Sequence, residues 1–482
     1  MAKYKCDICN QIVEIEDIDK IDSCPMCHID KSFLQKAEEE LPQLKPIEGP
    51  IPISKDNPGI ERIEEKCIKC GLCSKICQNN VGIHYDPNTA KEPVCLSCGQ
   101  CILNCPVGAI VPKYTYQKVL NYINDTDKIV VAFTSPAVRV ALGEEFKSPK
   151  NNVEGQMVSA LKELGFDYVL DTTFGADLTI MEEASELIER IKKKELLPQF
   201  TSCCPAWVRY LEIYHPSLTK YLSTCKSPIG MQGTMIKTYY SEMLDIPKEK
   251  IISVAITPCT AKKSEIKLDP VYTDYVLTTS ELAIMIREKE LDFNNLKDSN
   301  FDNIMARGSG SGVIFGSSGG VTEAAIRTAY YFLTNQKPPQ KLLEFHEVRG
   351  YQNTKEANVK IGDLELKLLV VYGMNNIEPL LNDLEHNKLN YHFIEVMNCP
   401  GGCVGGGGQP LGVISKQQEI NEKRSQSLYN EDNNLEIRNS YENPDIIDIY
   451  RCYLDKPLSN KAHELLHTKY QDRSSILGDK TP

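Results

Sequence analysis

Cys399 and Cys403 stand four residues apart in the run Glu395–Pro410, with Gly401, Gly402 and Gly405 to Gly408 around them. Thiolates are soft ligands suited to iron, zinc or copper. Glycine lets backbone approach a bulky group closely and turn its N–H groups toward sulfur. The stretch therefore reads as a nest for a metal cluster rather than a glycine-rich surface loop. Other cysteines carry spacing of their own. Cys6 and Cys9, with Cys24 and Cys27, make two Cys-x-x-Cys knuckles that close a four-thiolate tetrahedral site; spacing leaves zinc and a single iron both open. Between residues 60 and 115, Cys67-x2-Cys70-x2-Cys73-x3-Cys77 is followed by the same spacing at Cys95, Cys98, Cys101 and Cys105. Three more, Cys203, Cys204 and Cys259, lie far from either pattern. Glu183, Glu186 and Arg190 fall at i, i+3 and i+7 and share one helix face, which without context is simply a solvated face.

Loops that hold such residues need elements to aim them. From about Asp127 the chain alternates apolar runs and helical segments. Ile129–Phe133, Tyr168–Leu170, Ile251–Ile256, Leu366–Tyr372 and His392–Val396 read as buried strands; Glu154–Leu164 and Glu182–Lys194 read as helices. That alternation predicts parallel sheets covered by helices, an α/β domain over 125–482. Cys259 follows one strand, Cys399 another, and Cys203 and Cys204 follow Leu196–Phe200. Ligands in open α/β sheets bind beyond the carboxyl ends of strands, so these distant loops are expected to converge. Upstream, 1–37 forms a small knuckle domain, 60–115 a cysteine-repeat domain, and the proline-rich stretch 38–59 an extended linker.

Composition narrows the class. At 482 residues the chain is multidomain; 25% charged and 41% hydrophobic residues are ordinary for a soluble protein. No apolar run reaches the roughly 18 residues of a membrane span, and Met1–Asp7 has no secretory h-region, so a cytoplasmic protein is expected. Nineteen cysteines in that reducing compartment argue for metal rather than disulfides. A net charge of −12 with scattered basic residues gives no nucleic-acid footprint.

Three resemblances organise these features. Tyr4, the two knuckles, Pro25, Lys31 and Phe33 look like a shortened rubredoxin, which implies one redox-active iron, with zinc as the alternative. The cysteine repeat resembles a two-cluster bacterial ferredoxin, whose fourth cysteine in each run serves the other cluster. That implies one 4Fe–4S cluster on Cys67, Cys70, Cys73 and Cys105 and another on Cys95, Cys98, Cys101 and Cys77; Gln78 stands where proline is usual. Finally T-S-C-C-P-A-W (201–207), T-P-C-T-A-K-K-S-E (257–265) and the Glu395–Pro410 stretch together resemble the three signatures of iron-only (FeFe) hydrogenases.

The hydrogenase resemblance implies an oxidoreductase that reversibly reduces protons to H2. Cys204, Cys259, Cys399 and Cys403 would hold a 4Fe–4S cubane, and Cys403 would bridge it to a diiron unit carrying CO, cyanide and a dithiolate, the whole being the H-cluster. Cys203 would pass protons; Lys262 would hydrogen-bond a cyanide; Ser227, Met397 and Phe315 would line the cofactor pocket. The proton path would run from solvent through Arg190, Glu186, Ser223 and Glu183 to Cys203. A soluble electron carrier such as ferredoxin and dedicated maturation proteins are the implied partners. Thr257, Ala206 and Ile229 depart from the commoner methionine, glycine and glutamine; Cys225 and Cys452 are additional, and Cys225 reads as a buried inert thiol, with a redox-active thiol near the pocket as the alternative. Lys263 is expected to be solvated. His463-Glu464-Leu465-Leu466-His467 fits the zinc-protease pattern but has no evident third ligand. Gly308–Gly320 lacks a P-loop ending and is expected to line the cavity. A non-catalytic iron–sulfur assembly relative would be expected to lose Cys203, Lys262 or the glutamate pair; a hydrogen sensor would need a signalling domain that is not evident.

Overall fold

The structure is a computed structural model that describes residues 2–6, 12–15, 18–21, 31, 34–36, 49–85, 88, 90–267, 272–305 and 308–478. The chain divides into two units, Met1–Pro46 and Ile47–Pro482. In the first, Ala2–Cys6 pairs antiparallel with both Ile12–Ile15 and Leu34–Lys36. Cys6 closes its strand opposite Leu34; Cys9, Cys24 and Cys27 lie outside the described residues, as does 38–48.

The second unit contains the cysteine repeat and the α/β domain together. Its first four-stranded sheet is wholly parallel, in the order Tyr275–Thr278, Ile251–Thr257, Ile129–Thr134, Tyr168–Asp171. Ile251–Thr257 is buried along its whole length, as expected of a central strand covered on both faces. The second sheet is mixed rather than parallel. Thr354–Ile361 runs antiparallel to Leu364–Tyr372, which continues in parallel to Phe393–Met397 and Gln199–Phe200. The antiparallel edge follows from a two-residue turn: Gly362 adopts φ +62°, a conformation that few residues other than glycine accept readily. Thr354–Ile361 alternates exposed and buried positions, the pattern of a strand with one face in water.

The helix Glu154–Leu164 forms as expected. The next long helix, Thr173–Lys193, begins nine residues before the sequence pattern suggested. Gly175 and the β-branched Thr173, Thr179 and Ile180 weaken the local helical signal, and packing overrides it. The expected linker also shortens. Ile51 and Asn57 are buried, Ser74 Oγ donates to Gly49 O at 2.5 Å, and Asn57 Oδ1 accepts from the Gly59 and Ile60 amides, so 49–59 belongs to the cysteine-repeat module. That module is closed by a short antiparallel pair, Ile60–Arg62 with Ile110–Pro112.

Candidate active site

Four strand ends supply the walls of one cavity. Gln199–Phe200 leads to Cys203 and Cys204, Ile251–Thr257 to Cys259, Phe393–Met397 to Cys399 and Cys403, and Ile129–Thr134 to Ser135. Each approach is locally fixed. Cys204 caps the helix Pro205–Tyr214, with Pro205 in its first turn, where a missing N–H costs nothing. Trp207 Nε1 donates to Thr201 O at 3.1 Å, while Thr201 Oγ1 accepts from Val396 N at 3.1 Å, tying two of the cysteine loops together. Gly402 (φ +91°) faces backbone: a methyl group there would lie 2.5 Å from Ser318 N. Glu395, at the head of the same loop, is buried and accepts from Gly319 N (2.6 Å) and Thr322 N (2.8 Å), which anchors it against the helix Gly320–Thr334.

Cys203, Cys204, Cys259, Cys399 and Cys403 all border this cavity, as do Lys262, Met397 and Phe315. Burial pushes every one of the five thiols up: Cys259 to about 11, Cys403 to about 12, Cys204 upward, Cys399 and Cys203 well above the ordinary thiol value. Neighbouring thiols add to the rise at Cys259, Cys399 and Cys403. Thiolates gathered this way are costly unless a cationic metal group neutralises them, so the donor set fits a cofactor that binds thiolate. Cysteines spread over the walls of one cavity suit a polynuclear group.

Lys262 is buried beside them. Its Nζ donates to Cys203 O at 3.0 Å and to Glu265 Oε2 at 2.6 Å. Burial acts to lower its pKa, but Glu265 and the thiols of Cys259 and Cys203 outweigh it, so the ammonium stays charged. Ser227 does not border the cavity. Its hydroxyl donates to Glu265 Oε1, which makes it a support for the lysine's partner. The serine that does border it is Ser135, a residue no sequence pattern singled out. Thr257 and Ile229, two of the departures noted above, also line the wall. Lys263, expected in solvent, is buried: Nζ lies 2.8 Å from Glu281 Oε2 and donates to Lys113 O at 2.9 Å.

The glutamate face is likewise internal. Glu183 is buried, and among the described residues neither carboxylate oxygen has a hydrogen-bond partner within ordinary distance. Burial, reinforced by Glu186, pushes its pKa up to about 8. Glu183 in turn raises the Cys203 thiol, so the two groups are electrostatic neighbours. Glu186 accepts from Ser223 Oγ at 2.8 Å, Arg190 Nη2 at 2.7 Å, Thr224 N at 3.1 Å and Thr224 Oγ1 at 3.3 Å. Arg190 also donates to the carbonyls of Leu196, Tyr221 and Leu222. A guanidinium keeps its proton in proteins, so this one is an anchor for Glu186 rather than a carrier. Cys225 is buried, with Sγ 3.8 Å from Glu186 Oε2, and burial followed by the glutamates raises its thiol well above the ordinary value. Its burial is as expected.

The cysteine repeat brings its residues together in two sets. Cys67, Cys70, Cys73 and Cys105 border one small cavity. Cys77, Cys95, Cys98 and Cys101 are mutual electrostatic neighbours, with Cys77 raised by burial and then by Cys95 and Cys98. Backbone amides point at sulfur: Ala109 N lies 3.2 Å from Cys105 Sγ, and Ser97 N 3.3 Å from Cys95 Sγ. The second set abuts the catalytic loops. Thr260 Oγ1 donates to Ser97 O at 2.6 Å and Gln100 Nε2 to Gly405 O at 2.9 Å, while a methyl group on Gly407 would lie 2.4 Å from Gly99 Cα.

Residues 128–407 match the family model "Iron only hydrogenase large subunit, C-terminal domain", 418–473 the model "Iron hydrogenase small subunit" and 60–81 a "4Fe-4S binding domain". The NADP-reducing hydrogenase subunit HndD of Solidesulfovibrio fructosivorans is 42% identical over 86% of this chain and 75% of its own length. Iron hydrogenase 1 of Clostridium pasteurianum is 37% identical over 97% of this chain and 83% of its own. A solved structure of an [FeFe]-hydrogenase HydA1 variant from Chlamydomonas reinhardtii superposes with a TM-score of 0.65 at 37% identity, covering 74% of this chain and 98% of that one. With signatures, strand-end geometry and relatives in agreement, the chain belongs to the iron-only hydrogenase family.

Proposed function

We infer that this protein is an FeFe-hydrogenase that interconverts protons, electrons and H2. One observation carries the inference: the five cysteines, Lys262 and Met397 border a single buried cavity that the Glu183–Glu186 face approaches. Cys204, Cys259, Cys399 and Cys403 would hold a 4Fe–4S cubane, with Cys403 also joining it to a diiron unit bearing CO, cyanide and a dithiolate. When bound, this H-cluster supplies the two-electron chemistry of H2 formation and cleavage.

The rest is the work of this chain's side chains. The cavity is lined almost wholly by apolar surface, so side chains are the natural carriers of protons to it. Cys203 holds a proton at Sγ beside the cofactor space, and its high pKa keeps it a thiol at neutral pH. Glu183, with a pKa of about 8, carries a proton near the operating pH, which suits a relay group. Ser223 bridges toward Glu186, and Arg190 fixes Glu186 without itself exchanging protons. Lys262 places a permanent positive charge where an anionic ligand such as cyanide would sit, with Glu265 and Ser227 holding it in place.

Electrons would arrive through two 4Fe–4S clusters, one on Cys67, Cys70, Cys73 and Cys105, the other on Cys77, Cys95, Cys98 and Cys101. The grouping of these cysteines and their approach to the loops of Cys259 and Cys403 support that order. Residues 1–37 would be a rubredoxin-like single-metal site on Cys6, Cys9, Cys24 and Cys27, supported by its short antiparallel sheet, with zinc as the alternative metal. A ferredoxin-type carrier and maturation proteins would be the partners, in the cytoplasm. Among the described residues no helix is long and apolar enough to cross a membrane.

Infrared spectroscopy of the protein co-produced with maturation factors is the test. Sharp CO and cyanide bands are expected; an intact cubane signal without them would leave a non-catalytic iron–sulfur protein. Retention of Cys203, Lys262, Glu183 and Glu186 favours the enzyme over that alternative.

A further inference from the structure

The H-E-x-x-H pattern near the C-terminus has no role in the site above, and its surroundings give it one. The helix Asn460–Leu466 ends at His467, which is 8% exposed and has both ring nitrogens engaged. Nδ1 lies 2.7 Å from Thr224 Oγ1 and Nε2 3.2 Å from Glu182 Oε2. Both nitrogens are thus taken, and the pair is no zinc site. Glu182 is buried and also accepts from Tyr450 OH at 2.5 Å and Leu458 N at 2.8 Å. Thr224 Oγ1 stands 3.3 Å from Glu186 Oε1, so one hydroxyl lies between the imidazole and the relay carboxylate. On the other side the ring of exposed His463 lies 4.2 Å from that of His467. The other titratable groups around this ring are Cys225 and Lys226, whose segment meets the His467 strand bridge, and Tyr470, whose hydroxyl donates to Ser223 O.

We propose that His467 and Thr224 form a side limb of the proton relay, holding one proton that is exchanged with Glu186. The proposal rests on the hydrogenase reading for its use, though not for its geometry. Doubly protonated His467 donates both N–H groups, one to Glu182 and one to Thr224 Oγ1. The Nδ1 proton passes to the Thr224 oxygen while the hydroxyl's own proton passes to Glu186. His467 is left neutral with its Nε2–H on Glu182, and Glu186 becomes the carboxylic acid. One proton moves and no electrons do. The same two hydrogen bonds carry the proton back when Glu186 gives it up again, so the limb stores one proton beside the relay. Serine at 223 and threonine at 224 thus address the two oxygens of one carboxylate from two directions.

Two measurements test this. In protein carrying its 4Fe–4S clusters but not the diiron unit, the histidine ring titrations are followed by NMR; Glu186→Gln is expected to shift that of His467, and an unchanged titration overturns the coupling. In the matured enzyme, H2 evolution is followed against pH. His467→Gln, which keeps hydrogen bonds but carries no proton, and Thr224→Val are each expected to lower the rate about three- to tenfold, less than the roughly hundredfold loss of an obligatory proton carrier. Both should change the pH profile alike, the double variant should be no slower than either, and Thr224→Ser should restore the rate. Unaltered profiles, or losses that multiply in the double variant, overturn the proposal. Absence of CO and cyanide bands in the matured wild type would instead count against the hydrogenase reading, leaving the NMR coupling to judge the limb.

Discussion

Cys203 and Glu183 carry the sharpest consequences at the scale of single residues. Replacing Cys203 by alanine removes the group that holds a proton beside the cofactor space but no cubane ligand. H2 evolution is expected to fall by about a hundredfold or more, while the electron paramagnetic resonance of the clusters is unchanged; retained activity would remove Cys203 from the path. Glu183 has a thermodynamic signature as well. Its carboxyl ionises near the ordinary value of 4.5 in the unfolded chain and at about 8 in the folded one. Between those values the folded state holds a proton that the unfolded state has released, so stability falls as pH rises through this window. Glu183→Gln abolishes that dependence. Thermal unfolding at pH 5 and pH 8 should show the wild type losing stability on the order of a few kcal/mol more than the variant. An equal loss in both would mean that the carboxyl is not buried as described.

Among elements, strand ends and glycines set the geometry. Gly402 accepts φ +91° with backbone against its α-carbon. Gly402→Ala should cost about 1–3 kcal/mol of stability and reduce loading of the diiron unit, read from infrared band intensity per cubane; full loading would show that the loop adapts. Much of this layer was legible in the sequence. Cysteine spacing is a local signal, and a hydrophobic run marks a buried strand without tertiary information, so the cysteine loops and most strands emerge from pattern alone. Other features depend on convergence that no local pattern encodes. Ser135 reaches the cavity only because its strand lies beside the one that leads to Cys259. Ser227 is drawn to Glu265, and Lys263 to Glu281, by partners 38 and 18 residues away. Thr354–Ile361 alternates as a strand should, but polar residues on its solvent face dilute the apolar signal.

The molecule as a whole holds its redox and proton functions in different layers. The cysteine repeat and the catalytic loops share a tight contact at Gly99 and Gly407 and hydrogen bonds from Thr260 and Gln100, whereas the glutamate face lies on the helix Thr173–Lys193. On the proposed reading, electrons and protons would approach the cavity through separate parts of the fold. The division of the chain at Pro46 makes a prediction at this scale. Protein lacking residues 1–46 should fold, take up its clusters and evolve H2 with an artificial one-electron donor at a rate within about twofold of the full chain, because few contacts cross a domain boundary. A collapse in cluster content would show the boundary to be false.

The contact between Gly99 and Gly407 bears on what can be exchanged. At Pro46 the chain offers a joint where one small module could be traded for another, as a plug is traded on a cable. No such joint exists after residue 115. The cysteine repeat is threaded into the catalytic loops by backbone that leaves no room for a methyl group, so any replacement must reproduce that surface atom for atom. Recombination is therefore free to vary the module before Pro46, while the cysteine repeat must change together with the loops that hold Cys259 and Cys403.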